Sequence, residues 1–413
     1  MHALCTSRLW AFSLPAVAAI AGLYVSLTPA ESPRENSPEA FYDRDPQHLS
    51  NRLYEALCVR VGPDGHMYGR DRFEPLLWLG TAHLLSGPSQ QQAVKVLDEF
   101  VEKQGERLLD DPQKRALLQR DLWMVYCWLQ GQHLRSGDRG IPDEKLPEAR
   151  QRLGRPLSAA IGRLALSREQ IEKVPDNYAA AVASGRFAKS FALAQPNKPY
   201  LPPDLFSADG PWVCVGRPNG PAAPEHLGTS NPFPNSAFLI FLRLPGGREA
   251  GLQYLKQGHR ELPTGAEVAL VRRALLVASS GALAPTPLTE SVQLRIYGPN
   301  GQFFAEFRLS RKSLLADAAG GLRAVGADER DFKTGFGGST WDQFEEPLVG
   351  QELDVRRVWI KGECRGCHDP SRFPGLRAER PLGKVSVADA LATAVNWKES
   401  RADWKELQRQ LKR

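Results

Sequence analysis

The spacing of apolar residues changes once along the chain, close to Ala194, and this change limits the folds open to it. Before that point apolar residues recur three and four apart. After it, short runs alternate apolar and polar side chains between glycines and prolines. The first spacing puts one stripe on a helix and the second puts one face on a strand. An architecture built from one element type is therefore excluded. The expected class is α+β multidomain: an N-terminal helical bundle, a middle antiparallel β-rich domain shaped as a sandwich or barrel, and a short C-terminal segment with a helix. With 413 residues, the chain exceeds one ordinary core, which favours several domains.

In the helical part, Leu49, Leu53, Ala56 and Leu57 share a face, and Gly62-Pro63-Asp64-Gly65 is expected to stop that helix. Pro75 fits the first turn of the next, which runs from Leu76 to Leu85 and ends at Gly87. A third, near 89–104, turns Val94, Leu97, Phe100 and Val101 inward. Asp111-Pro112 opens a fourth, whose Leu118, Leu122, Trp123, Val125, Tyr126 and Trp128 make it the centre of a bundle. Further helical segments are expected to break at Pro147 and Pro156, and Ser167 with Gln170 forms a capping box. The helical domain spans 47–190. Strand-like runs follow at Trp212 to Val215, Ala237 to Leu244, Val268 to Val277, Val292 to Tyr297 and Phe303 to Leu309. A helix from Arg248 to Lys256 interrupts them, and the β-rich domain covers 200–325. The remainder, 326–413, holds the glycine run Gly335-Phe336-Gly337-Gly338 and a strand from Val355 to Ile360. A helix follows from Ser386, continuing or restarting through Trp404, Leu407 and Leu411.

The remainder also contains Cys364-Arg365-Gly366-Cys367-His368. Two thiols at this spacing reach the two vinyl groups of a haem, and the adjacent imidazole lies under the iron as an axial ligand. The rival chemistry for the same residues is a Cys364–Cys367 disulfide or half of a zinc site. Residues 9–27 are almost wholly apolar behind Arg8, and Thr28-Pro29-Ala30 supplies small residues for cleavage, so residues 1–30 read as a signal peptide or a retained membrane anchor. Residues 31–46 read as a linker. Export and haem attachment support each other, because c-type haem is attached outside the bacterial cytoplasm. The expected location is periplasmic, or at a membrane contacted by the N-terminal segment.

The pentapeptide resembles the attachment motif of c-type cytochromes, which implies covalent haem c with Cys364 and Cys367 as thioether residues and His368 as proximal ligand. The resemblance stops there. A strand-like run precedes the motif where the common cytochrome domain has a helix, and no Met or His follows it. Arg120-Asp121-Leu122-Trp123, Leu288 to Arg295, Gly320 to Gly326 and Asp328-Glu329-Arg330-Asp331-Phe332 are similar to a family of uncharacterised bacterial exported proteins that also end in a Cys-x-x-Cys-His segment. That likeness implies the domain layout and the haem.

The other face of the iron is expected to be open, filled by water or a lysine, or filled by an upstream residue, from among His48, His66, Met67, His83, Met124, His133, His226 and His259. Met124 and His83 read first as packing residues. Cys58, Cys127 and Cys214 read as buried apolar thiols. The apolar fraction of 42% and charged fraction of 24% exclude wholesale disorder, and a net charge of +6 without a dense Lys/Arg block excludes a nucleic-acid groove. The basic end, Lys405 to Arg413, reads as the solvated face of a helix, or as a dock for an acidic redox partner. Motifs for metalloprotease, nucleotide-binding or serine-hydrolase chemistry are absent from the sequence, so no catalytic residue is assigned. Three functions remain: electron transfer by a single haem, a haem-free binding or scaffold protein, and a peroxidase or gas sensor with an open iron site.

Overall fold

Side-chain caps mark the starts of several helices in the computed structural model. The model describes residues 40–62, 65, 67–71, 83–130, 143–217, 220–223, 226, 235–257, 261–332, 357–359 and 382–412. Helix α1 (Leu49–Cys58) starts at His48, whose Nδ1 accepts the Ser50 N–H at 3.3 Å. Helix α2 (Gly87–Glu102) has a proline in its first turn. Helix α3 (Pro112–Gln130) opens where Asp111 accepts the Gln113 N–H at 2.7 Å, as its Asp-Pro pair predicts. Helix α4 is Leu146–Arg163. Helix α5 (Arg168–Glu172) carries the expected capping box of Ser167 and Gln170, and α6 (Asn177–Ala183) is capped by Asp176.

Three helix expectations change. Helix α1 ends at Cys58, and Gly62 and Gly65 lie instead between two short antiparallel strands, β1 (Arg60–Val61) and β2 (Met67–Tyr68). Gly87 begins α2 rather than ending its predecessor, and the expected helix from Leu76 falls mostly outside the described residues. Neither proline breaks α4. Pro147 occupies the first turn, where no N–H partner is required, and Pro156 sits inside the helix. The buried stripe of Leu153, Leu157, Ala160 and Ile161 outweighs the lost internal hydrogen bond.

The strands are β3 (Val213–Gly216), β4 (Ser236–Arg243), β5 (Glu267–Val277), β6 (Leu283–Gly298), β7 (Gly301–Leu309), β8 (Leu322–Ala324), β9 (Arg330–Phe332), β10 (Arg357–Trp359) and β11 (Gly383–Lys384). The expected sandwich or barrel is, among the described residues, one open antiparallel sheet ordered β11-β3-β4-β5-β6-β7-β8, beside a β9–β10 ladder. Strand β6 begins nine residues before Val292. Its pairing with β5 continues through register shifts at Arg272/Arg273 and Arg273/Leu275, bulges that simple alternation does not reveal. Helix α7 (Gly247–Gln257) lies where a helix was expected, and α8 (Arg311–Leu315) follows β7.

At the C-terminal end Ser386 caps α9 (Val387–Ser400). Extended backbone at Arg401 then separates it from α10 (Ala402–Leu411), so the helix restarts. One hydrophobic cluster draws on both sides of residue 195. It holds Leu53, Phe100, Trp123 and Leu157 from helices, Leu239, Val271, Val292 and Phe307 from strands, and Trp404 and Leu407 from α10. Trp123 and Trp404 pack with ring centroids 5.8 Å apart, and Phe206 makes edge contacts with Tyr178 and Phe241. All described residues belong to the unit Pro38–Arg413.

Candidate functional site

Cys364, Cys367 and His368 lie outside the described residues, as do His66, His133 and His259. Their chain neighbours are placed on both sides. Upstream, β10 pairs with β9 from Arg357↔Phe332 to Trp359↔Arg330. Arg323 holds the turn into β9 through a two-pronged contact with Glu329 at 2.8 and 2.7 Å, and Glu329 also accepts the Gly326 N–H at 3.0 Å. Downstream, β11 pairs with β3 through Gly383↔Gly216 and Lys384↔Val215, and the Val385 N–H donates to the Cys214 carbonyl at 3.0 Å. The motif thus belongs to a segment whose two ends are fixed by backbone pairing.

The remaining ligand candidates have local roles. Met124 is wholly buried in α3, and His48 is engaged as a cap. The Met67 sulfur receives the Arg70 guanidinium at 2.7 Å, the His83 carbonyl accepts the Ser89 hydroxyl, and the His226 ring lies 5.4 Å from that of Phe238. Among the described residues, no group of three or more His, Cys, Asp or Glu side chains is placed to hold a metal ion. Cys58, Cys127 and Cys214 are buried and form no disulfide. Burial pushes the Cys127 and Cys214 thiols up to about 12 and raises that of Cys58 as well, which makes all three poor nucleophiles.

The polar chemistry the structure does assemble is a buried ionic network that joins the helices to the sheet. Helix α3 carries Arg120 and Asp121 within an otherwise apolar stretch, both at zero exposure. Asp121 accepts two hydrogen bonds from Arg311 Nη2, at 2.9 and 2.8 Å, and one from the Tyr42 hydroxyl at 3.1 Å. Arg311 also donates to the Tyr54 hydroxyl at 2.7 Å and lies 4.4 Å from the centre of that ring. On the other side Arg120 Nε donates to Glu290 Oε1 at 2.7 Å, and Ser236 donates to Glu290 Oε2 at 2.6 Å. Arg272 Nε sits 3.0 Å from Glu290 Oε2 as an ion pair whose N–H is not aligned for a hydrogen bond.

Burial pushes the Asp121 carboxyl upward, opposed by Arg311 and Arg120. It raises the Tyr42 and Tyr54 phenols well above their usual value, so both remain protonated donors. Beside this network Gln119 works as a surrogate backbone unit. It accepts the Val277 N–H at 3.0 Å and donates to the Val277 and Ile161 carbonyls at 2.9 and 3.1 Å. Helix α8, which presents Arg311, is steadied by Asp71, which accepts the Lys312 N–H at 2.8 Å and the Ser310 hydroxyl.

Every member of the network is cut off from solvent, and none is a nucleophile poised against a base, so it supplies cohesion rather than turnover. Arg120 and Asp121 carried little signal in the sequence, because Lys114, Arg115 and Gln119 precede them on the same helix. Arg311 and Glu290 carried none, because their partners are remote in the chain. No protein-family model, curated protein or solved structure matches the chain. Among the described residues no helix is long and apolar enough to cross a membrane, and residues 9–27 lie outside them.

Proposed function

We propose that the protein is exported, or tethered to a membrane by residues 1–30, and that it carries one covalent haem c and exchanges electrons with a redox partner. In this reading Cys364 and Cys367 form the thioethers and His368 is the proximal ligand, within the 326–413 segment that follows the helical (47–190) and β-rich (200–325) domains. The carrying observation is the pentapeptide Cys364-Arg365-Gly366-Cys367-His368. Cys58, Cys127 and Cys214 are each buried and outside any disulfide, which leaves Cys364 and Cys367 to haem or to a disulfide with each other. Two thiols and one imidazole are also the donor set that haem c requires. Bound haem supplies a one-electron couple, and this chain supplies its attachment and its axial base. The likeness to exported proteins of the same ending belongs to the same proposal.

The test is expression of the full chain with haem-attachment machinery. Haem should remain with the polypeptide after denaturation and be lost in Cys364→Ala/Cys367→Ala. Folded protein without haem, lighter by two hydrogens, would replace this reading with the disulfide scaffold. A reduced spectrum that shifts on adding carbon monoxide would redirect it from electron transfer to an open-site sensor or peroxidase.

A further inference from the structure

The surface of α4 and α10 carries exposed positive charge that extends beyond the basic C-terminal end read from the sequence. Helix α10 turns Trp404 and Leu407 into the main core, and this orientation leaves Lys405, Arg409 and Lys412 exposed in a stripe spaced four and three apart. Helix α4 buries Leu153, Leu157, Ala160 and Ile161, which leaves Arg152, Arg155 and Arg163 exposed. The two helices touch where α4 has a glycine: a Cβ on Gly162 would stand 3.0 Å from Leu411 Cδ2. Arg155 and Arg409 line the same groove of about 810 Å³, which Arg150 and the carboxylates Glu144, Glu148 and Glu406 also line. Four carboxylates, Glu106, Glu144, Glu148 and Glu406, stand against the six exposed cations, so the face keeps a modest positive excess. Glu406 is held by Arg409 at 2.7 and 2.9 Å, Glu106 lies 3.6 Å from Arg163, and Glu148 sits at the start of α4.

We infer that this α4/α10 face docks the acidic surface of a soluble protein partner. Charge complementarity identifies the occupant's sign. The burial of Trp404 and Leu407 excludes insertion of α10 into a bilayer, because an amphipathic helix that lies in one must offer its apolar face to lipid, and α10 has committed that face to the core. That the partner is an electron-transfer protein rests on the proposal above; that it is acidic does not.

The experiment uses the full chain with two probes, poly-L-glutamate and phosphatidylglycerol vesicles, at about 20 and about 300 mM salt, on either side of the range where screening reaches the spacing of neighbouring charges. The variant is K405E/R409E/K412E. Its control is R186E/K189E/K198E, which makes the same change in formal charge on another exposed surface. Wild type and control should bind polyglutamate at low salt and release it at high salt, and the stripe variant should bind about tenfold more weakly or worse, with unchanged circular dichroism. Equal weakening in both variants, no weakening in either, or no polyglutamate binding by wild type would overturn the inference. Stripe-dependent binding to vesicles in preference to polyglutamate would overturn it in favour of a lipid surface. Stripe-dependent polyglutamate binding by protein that carries no haem would leave the dock standing and remove the electron-transfer reading.

Discussion

Changing Asp121 to Asn tests whether the buried network is an ionic unit or merely polar filling. Asp121 accepts both bonds of Arg311 Nη2 and the Tyr42 hydroxyl, and all these groups are enclosed by protein. Asparagine preserves the shape and one acceptor but removes the charge facing Arg311. Breaking a buried pair from one side costs about 3–5 kcal/mol, because the remaining ion keeps its desolvation penalty and loses its compensation. Asp121→Asn and Arg311→Met should each lower the unfolding free energy by about that amount. The double variant Asp121→Asn/Arg311→Met removes both charges and should recover much of the loss, giving a coupling of several kcal/mol in a double-mutant cycle. Urea unfolding followed by tryptophan fluorescence reads this directly, since Trp123 lies two residues from Asp121 on α3. Single variants costing under about 1 kcal/mol, or a double variant equal to the sum of the singles, would refute the reasoning.

Two further outcomes are expected. Hydrogen bonds from Arg52 and Lys103 hold the Glu99 carboxyl down to about 2. A folded value below the unfolded one means that Glu99 stabilises at neutral pH and that this contribution is lost as pH falls from about 4.5 to about 2. Glu99→Gln should therefore flatten the acid limb of a stability–pH profile while costing under about 1 kcal/mol at pH 7, because the pair is partly exposed. The second outcome compares two glycines with similar positive φ, Gly320 at 61° and Gly185 at 68°. A Cβ at Gly320 would fall 1.9 Å from the Asn177 carbonyl oxygen, whereas at Gly185 it would meet open space. Gly185→Ala should cost about 1 kcal/mol from backbone conformation alone, and Gly320→Ala about 3 kcal/mol or more, measured by thermal denaturation. Equal costs would mean that the close approach of Gly320 to α6 carries no stability.

Side-chain caps marked three helix starts accurately, whereas the local glycine signals at Gly62–Gly65 and Gly87 misplaced two helix ends. Asp111 before Pro112, Ser167 three residues before Gln170, and Ser386 before an apolar stripe each mark a helix start within reach of one side chain. Pro156 misleads because its local penalty is outweighed by a stripe that packs against other helices, which no window around residue 156 contains. The sheet misleads for a related reason. Alternation shows that strands exist but not which edges meet, and the bulges near Arg272 and Arg273 conceal the first half of β6. The ionic network was not legible, since Arg120 and Asp121 follow Lys114, Arg115 and Gln119 on a helix that is polar in its first half. Glu290, 170 residues from Arg120, could not be paired with it by spacing. The Cys-x-x-Cys-His pentapeptide is legible as a spacing of residues, and those residues lie outside the ones described.

The placement of β11 and α10 also sets an order in time. Strands β8 and β11 occupy opposite edges of the sheet, and Trp404 and Leu407 complete a core begun by Leu53 and Trp123. A chain is synthesised from its N-terminus, so the strands from β3 to β8 can pair while that core still lacks its last side chains. The core closes only when the final helix arrives, dozens of residues after Cys364. Any enzyme that modifies the Cys364–His368 stretch therefore has an interval in which its target has emerged and the fold behind it is still unsealed.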